Sequence, residues 1–388
     1  MNQTMREYLD APMNRRGTHC EKWDHLGRYF GRDDLIAMWV ADMDFPTVPA
    51  VVDALIERAK HPIYGYTGMD TRQAEIDWLK RRHNTIVEKD WMLFSPGVVD
   101  SIAFAIRALM EPGERVLIQP PVYGPFFSTP EQQGRAVRKS LLIHEGNDWR
   151  MDYEDMERAF RDEGIRFMLL CNPHNPVGRV WRREELQKAV DIANRYGVIV
   201  LCDEIHGEFA LERKLTRIYS LENVDNVVSF NAPTKAFNIA GLRTSTIIVK
   251  NPKLREKIAH EIGLSHAGPN IFGMLAQRTA FEKGDEWMDA VLEYITENRD
   301  YAVDYIEKNI PKIKTYAQEG TYVMWLDCTA MGLDDAALMR RFVDVGGVGM
   351  HQGTNFGEEG KGHMRLNIAT QRRNLIAALE GLRRAADL

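Results

Sequence analysis

Five polar residues stand where the chain is otherwise apolar or turn-like. They are Asn175 in "CNPHNPVG", Asp203 in "VIVLCDE", Lys235 and Arg243 in "NAPTKAFNIAGLR", and Arg365 in "HMRLNIA". Lys235 follows the apolar run "NVVSF" and lies among small and apolar neighbours. A lysine desolvated there, with a cation nearby, has a lowered pKa and an amine able to attack a carbonyl. A lysine reaching from a turn into water is the ordinary alternative. Asp203 closes a run too apolar to be exposed, so its carboxylate needs a cation or hydrogen-bond donors. Capping a helix would satisfy it. So would keeping a ring nitrogen protonated, which makes that ring an electron sink. Asn175, set between two prolines, suits a turn. Arg365 in a short apolar strand demands a carboxylate, from protein or substrate, that its planar fork can meet with two hydrogen bonds.

The segments carrying these residues alternate between two patterns. Short β-rich runs ("WMLFS", "ERVLIQP", "IRFMLLCNP", "VIVLCDE", "NVVSF", "TSTIIVK") are separated by stretches such as "VVDSIAFAIRALM" and "REELQKAVDIANRYG", the latter amphipathic at helical spacing. Strands that are continuously apolar and alternate with helices predict a parallel sheet covered on both faces. The expected class is α/β, with a mostly parallel doubly wound sheet in a large domain over residues 48–285. The mixed pattern after "WMDAVLEYITENRDYAVDYIEKN" predicts a smaller α+β domain built from 286–388 and 1–47. A chain of 388 residues favours two domains over one core. Doubly wound sheets bind ligands at the carboxyl ends of their strands, which is where "CNPHNPVG", "CDEIHGE" and "NAPTK" fall.

Composition removes several classes of function. Lys and Arg number 50 against 56 Asp and Glu, a net charge of -6, and no basic stripe carries interleaved aromatics, so no nucleic-acid partner is expected. No apolar stretch is long enough to cross a bilayer, and "MNQTMREYLD" lacks the apolar core of a signal peptide. The four cysteines, Cys20, Cys171, Cys202 and Cys328, are dispersed and suit neither a disulfide framework nor a zinc site. A reducing cytoplasm is expected, and no metal. The stretch "GGVGMHQG" approaches a G-x-G-x-x-G fingerprint, but Gln352 replaces the third glycine and the context is wrong for a dinucleotide site.

In their order and spacing, Asn175, Asp203, Lys235, Arg243 and Arg365 resemble the fold-type I pyridoxal-phosphate enzymes of the aspartate aminotransferase superfamily. Within it, "WVADMDF", "YGYTG", "PGVV", "PPVYGPF", "CNPHNPVGRVW", "CDEIHGE", "PTKAFNIAGLR" and "HMRLNIA" are similar to the MalY/PatB-type cystathionine β-lyase branch. The resemblance implies pyridoxal 5'-phosphate as cofactor, with Lys235 joined to its aldehyde, Asp203 on the ring nitrogen, Asn175 on the phenolic oxygen and Tyr123 stacked on the ring. It implies a phosphate site made by Arg243, Thr234 and the backbone N–H groups of Gly97, Val98 and Val99 at a helix N-terminus. Tyr64 would reach the phosphate of a neighbouring subunit, which requires a homodimer. Arg365, helped by Asn175 and the backbone near Ala41, would hold the substrate carboxylate. Arg243 would also help depress the Lys235 pKa. The pattern departs from many aminotransferases at His206, where they carry a tyrosine; a cofactor contact and an ordinary core histidine stand as equal readings.

The leading expectation is β-elimination from cystathionine, cysteine or another S-substituted cysteine, with Lys235 as the base and Asp203 and Tyr123 assisting. An aminotransferase using the same residues is the alternative, and a non-catalytic regulatory protein a third. The preferred sulfur substituent and any assembly beyond a dimer are not encoded in these motifs.

Overall fold

In a computed structural model the structure describes Met1 and residues 3–387. Its centre is a seven-stranded sheet formed by β2 (Met92–Ser95), β3 (Arg115–Ile118), β4 (Ala136–Lys139), β5 (Phe167–Cys171), β6 (Ile199–Asp203), β7 (Val227–Asn231) and β8 (Ser245–Ile248), after a two-residue β1 (Ile36–Ala37). The order across the sheet is β2-β8-β7-β6-β5-β3-β4. Strands β3 to β7 run parallel, and every residue of β5 and β7 is buried, which is why these strands read as unbroken apolar runs rather than alternating ones. β8 departs from that reading. It is equally buried but pairs antiparallel with both β7 and β2. Two-sided burial produces the same apolar run whichever way a strand points, so direction was not encoded in it.

The helical patterns fold as their spacing requires. The helix Arg183–Arg195 buries Leu186, Ala189, Val190 and Ala193 on one face, and Glu185 in its first turn accepts from the Arg182 N–H at 2.7 Å. Burying such a stripe supplies most of a helix's stability.

The C-terminal residues form a second sheet of β9 (Lys314–Thr315), β10 (Val323–Asp327), β12 (His351–Gln352) and β13 (His363–Asn367), antiparallel throughout, in the order β9-β10-β13-β12. The N-terminal segment joins it. β1 pairs parallel with β11 (Val348–Gly349), and Asn367 Nδ2 donates to the carbonyls of Val40 and Asp42 at 2.7 Å each. Asp42 also accepts from Arg15, and Asp44 pairs with the fully buried Lys22 at 2.8 Å. These contacts pin residues 40–44 to the second sheet and the N-terminal segment, and Asn238, just beyond β7, holds Met43 by accepting from its N–H at 3.0 Å and donating to its carbonyl at 2.9 Å. We propose a division into a large domain, 48–285, and a small one, 1–47 with 286–388, following the two sheets. Among the described residues no helix is long and apolar enough to cross a membrane.

Candidate active site

β5, β6 and β7 are neighbours in the sheet and run in the same direction, with Cys171 opposite Asp203 and Asp203 opposite Phe230. Their carboxyl ends therefore lie side by side, and the segments leaving them enclose a cavity of about 290 Å³. Asn175, Asp203, His206, Thr234, Lys235, Arg243 and Tyr123 all line it, as do Gly97, Val98 and Val99. Arg365 arrives from β13, 130 positions beyond Lys235, and Ala41 from the N-terminal segment. Tyr64 does not join them in this chain. Its side chain is exposed on the surface and its hydroxyl donates to the Ala59 carbonyl at 2.7 Å.

Lys235 lies in a single helical turn, Pro233–Ala236, with Pro233 at its first position, where the missing N–H costs nothing. Its Nζ donates to the Ala41 carbonyl at 2.5 Å. Burial holds the amine below its ordinary pKa; Asp42 opposes that shift, and Arg365 supports it. The cation acting on Lys235 is therefore Arg365, not Arg243 as the eight-residue spacing suggested. Arg243 turns its largely exposed side chain to Asp100, at 2.8 Å. A guanidinium so solvated and paired exerts little field on a buried amine.

Asp203 has no ion-pair partner among the described residues; its Oδ1 accepts from the Ile205 N–H at 2.9 Å. That local bond fits the capping alternative, but it leaves the charge uncompensated. Burial pushes the carboxyl up to about 7. Arg365 is the mirror case. It is fully buried, no carboxylate of the described residues pairs with it, and burial lowers its pKa to about 10. Its hydrogen bonds go to neutral acceptors: Asn175 Oδ1 at 3.2 Å, the Trp39 carbonyl at 2.9 Å and His351 Nδ1 at 2.8 Å. Phe356 stacks beneath the guanidinium at 4.8 Å.

His206 is buried with its Nδ1 unpartnered, and burial, followed by Lys235 and Arg365, lowers its pKa to about 3. It is a neutral imidazole. Tyr123 is likewise desolvated, its phenol raised above the ordinary range by burial. The helix Val98–Leu109 begins at the cavity with Gly97 as its cap residue, so its first N–H groups lack intrahelical partners there. Thr234 supplies the one Ser or Thr hydroxyl among the lining residues.

The site contains residues that the motif reading passed over. His351, Asp100, Cys171 and Val40 line the cavity, and Tyr322 donates to the Ala41 carbonyl at 2.9 Å beside the Lys235 bond. His351 sits in "GGVGMHQG", the stretch set aside as a failed nucleotide fingerprint. Asp100 was visible only as an acid in the first turn of a helix.

These residues fit pyridoxal phosphate on observations of the protein itself. A buried carboxylate has no ion-pair partner among the described residues, a desolvated amine is held below its ordinary pKa, and a helix N-terminus with an arginine beside it offers donors to an anion.

The chain belongs to the class I and II aminotransferase family, whose pattern matches residues 33–382. It is 39% identical to cystathionine beta-lyase PatB of Bacillus subtilis (strain 168) over 382 residues, covering 97% of this chain and 98% of that protein. It is 30% identical to Protein MalY of Escherichia coli (strain K12), covering 95% and 96%. Its fold superposes on cystalysin from Treponema denticola, a structure containing pyridoxal 5'-phosphate, with a TM-score of 0.94 and 30% identity, covering 98% of both chains.

Proposed function

We propose that the protein is a pyridoxal-phosphate-dependent carbon–sulfur β-lyase, which converts cystathionine or another S-substituted cysteine to a thiol, or cysteine to hydrogen sulfide, with pyruvate and ammonia. The observation that carries this reading is a pair of buried, uncompensated charges, Asp203 and Arg365, on the walls of the cavity that holds the desolvated Lys235. One calls for a cation and the other for a carboxylate, and a cofactor with a protonated ring nitrogen and an amino-acid substrate supply them. The names borne by PatB and by a further solved structure similar to this chain, a C-S lyase from Staphylococcus hominis at 29% identity and a TM-score of 0.92, support the lyase over the aminotransferase.

When bound, pyridoxal phosphate withdraws electrons from the substrate Cα, which acidifies its proton and weakens the Cβ–S bond. Asp203 would accept the hydrogen bond of the ring nitrogen, whose positive charge would favour the ionised carboxylate that burial alone opposes. Asn175 would hydrogen-bond the phenolic oxygen, Tyr123 would pack on the ring, and His206 would offer it a neutral contact. Arg243, Thr234 and the N–H groups of Gly97, Val98 and Val99 would hold the cofactor phosphate. Arg365 takes the substrate carboxylate, with Asn175 and the backbone around Ala41 closing over it. Lys235 Nζ, its pKa lowered by desolvation, removes the Cα proton as general base. The proton it gains serves the departing sulfur, and water completes the release of pyruvate and ammonia. The carbonyl of half-buried Ala41, itself held by the fully buried Tyr322, keeps the amine in reach and limits the water around it.

The working unit in this reading is a homodimer, with Tyr64 of each copy reaching the partner's phosphate site. The exposure of Ile63, Tyr64 and Tyr66 in one coil segment supports it. A cytoplasmic setting agrees with four unpaired cysteines. The test is pyruvate release from L-cystathionine and from S-methylcysteine by the cofactor-loaded protein with no keto acid present. Sustained multiple turnover supports the lyase; release confined to one half-reaction per site, relieved by a keto acid, identifies an aminotransferase.

A further inference from the structure

His351 and Arg365 are directly opposed residues of adjacent antiparallel strands, β12 and β13. Arginine carries five donors and no acceptor, so the 2.8 Å contact between Arg365 Nη2 and His351 Nδ1 defines the tautomer. Nδ1 is the acceptor, and the ring proton sits on Nε2. Both protons of Nη2 are then engaged, one by the Trp39 carbonyl and one by His351. One Nη1 proton goes to Asn175, while Nε has no acceptor among the described residues. The imidazole is itself held on edge by Trp39, at 5.4 Å and 85°, and by Phe356, at 6.2 Å and 69°. Phe356 also stacks on the guanidinium, so one aromatic frame fixes both members of the pair. A buried arginine with no carboxylate beside it has little to set its direction except such neutral acceptors.

We propose that His351 is a positioning residue for the substrate carboxylate site: as a neutral acceptor cross-strand from Arg365, it sets the orientation of the guanidinium before the carboxylate arrives. Burial supports the neutral form, lowering the imidazole pKa to about 3. A cation at this position would repel Arg365 and release Nη2. A neutral acceptor does neither, and it leaves the positive charge for the ligand. The inference rests on the proposed role of Arg365 as carboxylate site, but not on the chemistry that follows binding.

The test is calorimetric titration of the cofactor-loaded enzyme with 3-(methylthio)propionate, which has the carboxylate and thioether of a substrate but no amine, and so binds without reacting. Loss of a hydrogen bond to a charged group in His351→Leu is expected to weaken binding about tenfold. His351→Asn, whose amide oxygen can accept from Nη2, should recover most of that loss. In turnover of S-methylcysteine, KM should rise in step with the dissociation constant while kcat stays within about twofold, the pattern of lost ground-state positioning. Unchanged binding in His351→Leu overturns the proposal, as does an Asn variant as weak as the Leu one, because packing alone then explains the residue. If Arg365→Leu abolishes binding and His351→Leu leaves it intact, only the positioning role falls. If neither substitution affects binding, the carboxylate role of Arg365 falls with it.

Discussion

Lys235 and Ala41 are 194 positions apart, yet the lysine Nζ donates to the alanine carbonyl at 2.5 Å, and that bond ties the end of the large sheet to the N-terminal segment. The amine is thereby placed by two independent parts of the chain: a proline-initiated turn beneath it and a strap of residues 39–44 above it. Neither could hold it alone, because a long side chain with one anchor keeps its rotamer freedom.

Replacing Lys235 by Ala removes the only amine among the lining residues. Turnover should fall by at least about 10³-fold, the range for loss of a general base. Far-ultraviolet circular dichroism should be unchanged, since the side chain lies in a cavity rather than a packed core. Pyruvate release above a few per cent of wild type would remove Lys235 as the base.

Asp203 predicts a pH dependence of stability in the cofactor-free protein. An unfolded aspartate ionises near about pH 4, whereas the buried carboxyl keeps its proton to about 7. Between those values the folded state binds more protons than the unfolded one, so stability falls as pH rises through that window and is greatest at its acid end. Glu75, also raised to about 7 by burial, adds a change of the same sign. Asp203→Asn should remove the Asp203 share and leave that of Glu75, which melting temperatures from pH 4.5 to 7.5 resolve. Loading the cofactor should flatten the Asp203 share in the wild type by providing a cation. An identical slope in Asp203→Asn and the parent would contradict the assignment.

Arg243 pairs with Asp100 at the cavity rim and is largely exposed. Arg243→Gln should leave the melting temperature of the cofactor-free protein almost unchanged, because an exposed ion pair contributes about 0–1 kcal/mol. Cofactor affinity should fall by about tenfold to a hundredfold, since a charge-assisted contact to phosphate is lost. Fluorescence titration with pyridoxal phosphate measures it, and an unaltered dissociation constant would exclude Arg243 from the phosphate site.

Phe230 is fully buried in β7, the strand that leads into Lys235. Phe230→Ala should destabilise the protein by about 3–5 kcal/mol through the cavity it leaves. Urea unfolding checks this, and a loss below about 1 kcal/mol would mean that the layer under the active site can collapse.

Most of the scaffold was legible in the sequence because its signals are local. The unbroken apolar runs of β5, β6 and β7 and the 3.6-residue stripe of Arg183–Arg195 report burial directly, and the polar residues that interrupt the runs mark the strand ends where the cavity lies. The direction of β8 was not legible, since burial on two faces has the same pattern in either orientation. Nor was the cation that acts on Lys235. Arg243 is near in sequence, but its side chain is drawn to Asp100, while Arg365 comes from a strand of the other sheet. His351 was hidden for the same reason: its meaning lies in a cross-strand register, and a glycine-rich stretch carries no mark of its partner. By itself, then, the sequence determined the α/β class, the order of the strands' chemistry-bearing ends and the polar residues, Asn175, Asp203, Lys235 and Arg365, that the fold gathers around one cavity. Only the tertiary structure decided which charges go uncompensated and which neutral groups orient them, because desolvation and hydrogen-bond geometry depend on what the rest of the chain brings alongside, and no local pattern records that.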